Sequence, residues 1–205
     1  PVTVDQRVVA FLLGSDDVDP RLADVVEAVE PTTAPAELPV DAATQERIER
    51  LAPAADGPPA LRYVYGPAGV GTDDAVAAMA SLAGVDLVRA SAVDLLDAGV
   101  PGPVALLVRE AELRDAAVHV RGLESLGRGP GAAGEGDGNG PADGDVTRLL
   151  RTLDRFEGHV FVSGEEEWRA RPSLDTHEYV AVHLPRPGYA PPSGALGAPR
   201  RRAPG

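Results

Sequence analysis

Leu61-Arg62-Tyr63-Val64-Tyr65-Gly66-Pro67-Ala68-Gly69-Val70-Gly71-Thr72-Asp73 is the stretch on which the fold turns. Residues 61–65 are apolar or aromatic around a single arginine, which predicts a strand. A glycine loop follows at 66–71, and 73–82 has helical spacing. Strand, glycine loop and helix in that order are the context of a phosphate loop, G-x-x-x-x-G-K-[ST]. In that motif the glycines turn backbone N–H groups toward phosphate, the lysine reaches the β- and γ-phosphates, and the hydroxyl holds Mg²⁺. Here Thr72 stands where the lysine belongs and Asp73 where the hydroxyl belongs. The chain has no lysine at all, since its 19 basic residues are all arginine. A plain glycine turn between strand and helix is the competing reading.

The charge of the loop is therefore reversed. Thr72 is expected to cap the following helix, with Asp73 and Asp74 in its first turn satisfying free N–H groups and the helix dipole. Carboxylates there oppose an anionic phosphate. The other role open to Asp73 is recruitment of Mg²⁺ in place of the hydroxyl. A working site also needs a strand that ends in acidic residues to hold the metal and orient water. The candidate is Ala117-Val118-His119-Val120-Arg121-Gly122-Leu123-Glu124, where Arg121 and Gly122 take those positions and Glu124 lies further along. Arg121 is expected to pair with Asp73 or Asp74 across the site.

Ser163, after the strand pattern at 159–162, suits a contact to γ-phosphate or water, or an ordinary turn. Arg169 and Arg171 are placed to reach a neighbouring subunit's site or to pair with the adjacent glutamates. The histidines at 119, 159, 177 and 183 have no ligand spacing and are expected to be packed or at sheet edges. The candidate nucleotide-binding set is Gly66, Pro67, Gly69, Gly71, Thr72, Asp73, Arg121 and Ser163. No catalytic residue and no metal ligand is assigned.

Outward from this centre the chain alternates strand and helix. Strands are predicted at 61–65, 87–88, 117–120, 159–162 and 179–184, and helices at 73–82, 93–96, 104–114 and 146–156. Repeated alternation predicts an α/β fold with a five-stranded parallel sheet, helices on both faces and right-handed crossovers. Before it, 5–13, 20–29 and 41–51 are predicted helices, the second opened by Asp19-Pro20 as cap and first turn. They form a helical lead-in over 1–57, with Pro-rich linkers at 31–39 and 53–59. The α/β domain is expected over 58–190. Residues 127–145 and 191–205 are low in complexity and expected to be a flexible loop and a disordered tail.

Composition narrows the partners. A net charge of −13 argues against nucleic acid and anionic membrane, both of which need clustered basic residues. Arg200-Arg201-Arg202 is the one basic cluster, in a Pro/Gly-rich tail. The acid excess, absent lysine and 4% aromatics fit a salt-adapted cytosol, because at about 1 M salt charges are screened within about 3 Å. GC-rich codon bias explains the missing lysine but not the acid excess. No cysteine, membrane span or signal peptide is seen. A cytoplasmic protein is expected, and from its start at Pro1 a processed or excised piece is expected too.

The order of these motifs resembles the core of an AAA-type ATPase, and more narrowly the divergent first ATPase domain of multidomain AAA proteins. The resemblance rests on 61–71, on 117–120 with Gly122-Leu123-Glu124-Ser125-Leu126, on 160–165, and on Val180-Ala181-Val182-His183-Leu184-Pro185. It implies a five-stranded parallel sheet followed by a helical lid, ATP with Mg²⁺ as ligand, and assembly with other AAA-type domains or subunits. By position it implies that Gly66, Gly69 and Gly71 are the loop glycines, Ser163 the sensor, and Arg169 or Arg171 the arginine-finger region. Thr72, Asp73, Arg121 and Gly122 depart from the pattern. After Tyr189-Ala190 the lid gives way to Pro/Gly-rich chain, as truncation or a frameshift would produce. The expectation is a non-hydrolysing domain that acts as a scaffold or assembly module, with a weak ATP binder and slow hydrolase as the alternative.

Overall fold

The computed structural model describes residues 4–127, 143–167 and 174–186. Its elements are α1 (Gln6–Leu12), β1 (Val26–Val29), α2 (Ala42–Leu51), β2 (Ala60–Tyr65), α3 (Thr72–Ala83), β3 (Leu87–Ser91), α4 (Ala92–Leu96), α5 (Pro103–Arg114), β4 (Ala117–Arg121), α6 (Asp143–Leu153), β5 (Val160–Gly164) and β6 (Glu178–His183). The strands form one sheet in the order β1-β3-β4-β5-β2-β6. Every pairing is parallel except that of β1 with β3.

β2 lies between β5 and β6, with Leu61 opposite Val160 on one side and Tyr179 on the other. Parallel strands covered on both faces need apolar residues at every position. All five residues of β5 are buried, as are the first five of β2. Alternation splits them between two cores. Leu61, Tyr63, Val160 and Val162 pack with Leu95, Leu107, Leu149 and Leu153 of α4, α5 and α6. Val64 and Phe161 pack with Ile48, Val76 and Met79 of α2 and α3 on the other face. The result is helix, sheet, helix in three layers. Ala75, Ala78, Ala80 and Ala83 are buried beside Val76 and Met79, so small side chains make up most of the buried face of α3.

Local chemistry sets the helix ends. Asp41 Oδ1 accepts from the Thr44 N–H at 2.8 Å and opens α2. Pro103 opens α5 in the first turn, where its missing N–H costs nothing, and Gly84 closes α3 at φ 67°. The N-cap of α3 is Gly71, at φ 84°, and not Thr72, which is the first helical residue.

The predicted helix over 20–29 is absent. Residues 20–25 turn, and Val26–Val29 pairs antiparallel with β3, Val26 facing Ala90 and Val29 facing Leu87. Val25, Val26 and Val29 have helical spacing, but β-branched side chains suit a pleated surface, and the open edge of β3 supplied one. Asp19 caps no helix. Its carboxylate accepts from the Arg21 N–H at 2.9 Å and from the Arg21 and Arg109 guanidinium groups. The five predicted parallel strands are thus joined by a sixth, antiparallel one. The linker at 31–39 contains a single 3₁₀ turn, Pro35–Glu37. Asp143, Gly144 and Asp145, placed in the flexible loop by composition, begin α6, while 128–142 and 187–205, including the tail and the missing-lid region, lie outside the described residues.

Candidate functional site

Parallel strands leave a crevice at their carboxyl ends, and β2, β4 and β5 all end there. The loop after β2 is fixed by close approach. A Cβ on Gly66 would lie 2.3 Å from the Leu184 carbonyl oxygen and 2.9 Å from Val70 Cγ2, so only glycine fits between the loop and the end of β6. Gly69 and Gly71 lie at φ 81° and 84°, left-handed conformations that a side chain disfavours. Gly122, at φ 72°, turns the chain back after β4, and its N–H donates to the Ser163 carbonyl at 2.9 Å.

These elements enclose a cavity of about 260 Å³. Gly66, Pro67, Gly69, Thr72, Asp73, Arg121 and Ser163 from the sequence-derived set all line it. Gly71 stands behind them as the cap of α3. Ala68, Ser91, Gly122, Glu124, Gly164 and Glu165 complete the wall. Arg169 and Arg171 lie outside the described residues.

Asp73 organises the interior. Its Oδ1 accepts from Ser163 Oγ at 2.9 Å, and its Oδ2 is 3.5 Å from Arg121 Nη1. Ser163 Oγ, whose own O–H points at Asp73, accepts from His119 Nε2 at 3.0 Å. His119 is wholly buried, and burial pushes its pKa down to about 4 against the opposing pull of Asp73. The imidazole is therefore neutral near pH 7, with its proton on Nε2.

The relay runs histidine to serine to aspartate. In a hydrolytic triad the carboxylate orients the imidazole, and the imidazole takes the serine proton. Here Asp73 meets the hydroxyl, and its closest approach to His119 Nε2 is 3.7 Å. Ser163 is held as a donor and is not activated as a nucleophile.

Two residues were missed by the sequence reading. His119 has the apolar flanks of an ordinary strand residue, and only the register of β4 against β5, which sets Arg121 opposite Ser163, brings it under the serine. Glu124 seemed too far along the chain. The turn at Gly122 and the 3₁₀ turn Leu123–Gly127 fold it back, and its Oε2 accepts from the Glu165 N–H at 3.1 Å. The glycine between strand and acid was the available signal. The cavity thus presents three carboxylates, Asp73, Glu124 and Glu165, to one guanidinium. Among the described residues no group of three His, Cys, Asp or Glu could hold a metal ion.

No family model and no curated protein sequence matches the chain. The fold has distant counterparts among solved structures. The FIGL-1 AAA domain in complex with ADP matches with a TM-score of 0.52 at 15% identity, over 90% of this chain and 63% of that one. A second crystal structure of the FIGL-1 AAA domain matches with a TM-score of 0.49 at 14% identity, over 88% of this chain and 62% of that one. The chain thus spans less than two thirds of the length of these solved chains. Its fold is that of a divergent AAA-type ATPase domain. No helix among the described residues is long and apolar enough to cross a membrane.

Proposed function

We propose that this domain is a non-hydrolysing AAA-type module that serves as a scaffold or assembly element for active AAA ATPase domains. The observation that carries it is the position of Asp73. Its carboxylate stands in the cavity, bonded to Ser163 and 3.5 Å from Arg121. A Mg²⁺–triphosphate needs an ammonium, a metal-binding hydroxyl and acidic metal ligands there. The residues present do not fit that group. An internal ion pair supplies the electrostatics instead, and no phosphoryl-transfer step is assigned. Net charge supports the same picture of a partner that is neither nucleic acid nor anionic membrane. The proposed division is an AAA-like domain over 58–190 and a lead-in over 1–57 that packs into it, β1 joining its sheet and Ile48 of α2 its core, in a salt-adapted cytoplasm.

A second function, weak ATP binding with slow hydrolysis, is favoured by two observations. The loop keeps left-handed glycines at 69 and 71, and Glu124 enters the cavity. Calorimetric titration with Mg-ATP at about 1 M KCl separates the two. The scaffold predicts no binding tighter than about 1 mM, and submillimolar affinity would overturn it. The triple variant Thr72→Lys, Asp73→Thr, Arg121→Asp restores the charges and is expected to bind Mg-ATP. A folded triple variant that gains no affinity would show that the loop is not shaped for phosphate.

A further inference from the structure

The helix α1 is built inside out. Its one buried residue is Arg7, while Val9, Leu12 and Leu13 are 42%, 76% and 83% exposed. Those three share one stripe at i, i+3 and i+4, and at about 100° per residue Arg7 lies on the opposite side. Val4 is also exposed, so this segment holds four of the five exposed large apolar side chains among the described residues. A groove of about 630 Å³ runs between α1 and residues 15–21, with Val4, Ala10, Val18 and Pro20 in its walls.

The helix is fastened through charge. Arg7 Nε and Nη2 donate to the two oxygens of Glu110 on α5 at 2.7 and 3.1 Å, and both side chains are buried. Arg21 and Arg109 both pair with Asp5 and Asp19. Arg114 is held by Glu110 and the Asp16 carbonyl. Every arginine around α1 thus has a carboxylate partner within the chain, although Arg109 Nε and Arg114 Nε are buried without a hydrogen-bond acceptor. Asp16 and Asp17, just past the helix, are exposed, and although the Asp16 backbone carbonyl holds Arg114, neither side-chain carboxylate is in an ion pair among the described residues.

We propose that this face of α1 docks a basic amphipathic helix of another protein. Its apolar stripe would cover Val9, Leu12 and Leu13, and its cations would meet Asp16 and Asp17. A second copy of this chain fits less well, because it carries a charge of −13 and would bring the same two aspartates to the contact.

The test is fluorescence anisotropy of the full chain with a labelled synthetic leucine–arginine peptide, its leucines at i, i+3, i+4 and i+7. A scrambled peptide of equal composition serves as control. Saturable binding of the patterned peptide alone is expected, weakened at least about tenfold by Leu12→Ser with Leu13→Ser. Asp16→Asn with Asp17→Asn should weaken it at about 0.1 M KCl and have little effect at about 1 M, where charge is screened. Both leucines are exposed, so thermal unfolding should be unchanged in the serine variant and serves as the folding control. Equal binding of patterned and scrambled peptides, or no effect of the serine variant, would overturn the proposal. So would self-association of the wild-type chain in sedimentation that the serine variant abolishes, since a second copy would then cover the stripe.

Discussion

Gly66 and Gly69 share a loop but are glycine for different reasons, and substitution separates them. A methyl group at Gly66 runs into the Leu184 carbonyl at 2.3 Å, which is backbone and has no rotamer to yield. Gly66→Ala should destabilise by about 1–3 kcal/mol in urea unfolding and displace the loop from β6. Gly69 has open space around its Cβ position but lies at φ 81°, so Gly69→Ala should cost about 1–2 kcal/mol, from backbone strain alone. A second change, Leu184→Ala, leaves the carbonyl in place and should not rescue Gly66→Ala. Rescue would show that a side-chain clash was the cause. Asp73 is legible at the same scale from the motif alone, because Thr and Asp in place of Lys and a hydroxyl residue are visible without coordinates. What the motif could not give is where that carboxylate points. Pairing with Arg121 was expected from strand positions, whereas its bond to Ser163 over His119 depends on three side chains that only the β4–β5 register aligns.

Among the elements, β1 has the largest consequence for its size. Four residues cover the outer side of β3, and Val26 of the strand joins Leu22 of the preceding turn in the core that also holds Leu107 of α5. Helix periodicity over 20–29 was real in the sequence, but periodicity cannot register an unpaired strand far along the chain. The long buried strands and the helices expected over 41–51 and 104–114 were legible from apolar runs and helical spacing, while Asp41 as a cap and Pro103 in a first turn emerged only with the fold. A chain lacking residues 1–30 should expose the β3 edge and the sites of Leu22 and Val26. It is expected to scatter light at concentrations where the full chain stays clear. A clear, monomeric truncated chain with an unchanged unfolding midpoint would show that β1 is dispensable.

For the molecule as a whole, acid should be the main threat to stability, in two stages. His119 has an ordinary value near 6.5 when unfolded, and burial pushes it down to about 4 when folded. Between those values the unfolded chain binds more protons, so stability falls as the pH drops from about 6.5 to about 4, with a slope of up to about 1.4 kcal/mol per pH unit. Below that range Asp19 and Asp5 come into play. Hydrogen bonds from Arg21 hold both below the usual carboxylate range, Asp5 at about 2. Their contribution is present above about pH 4 and lost as they protonate. Thermal unfolding across pH should show both limbs, and His119→Gln should flatten the upper one. An unaltered upper limb in that variant would assign the loss to another group. The ionic fastening of α1 carries a last corollary. Bridges that water can reach fade in strong brine, but the Arg7–Glu110 pair is sealed from dissolved ions. As salinity climbs, α1 comes to lean most on that rivet and on the buried Asp19 carboxylate, while its oily side grows more eager for company.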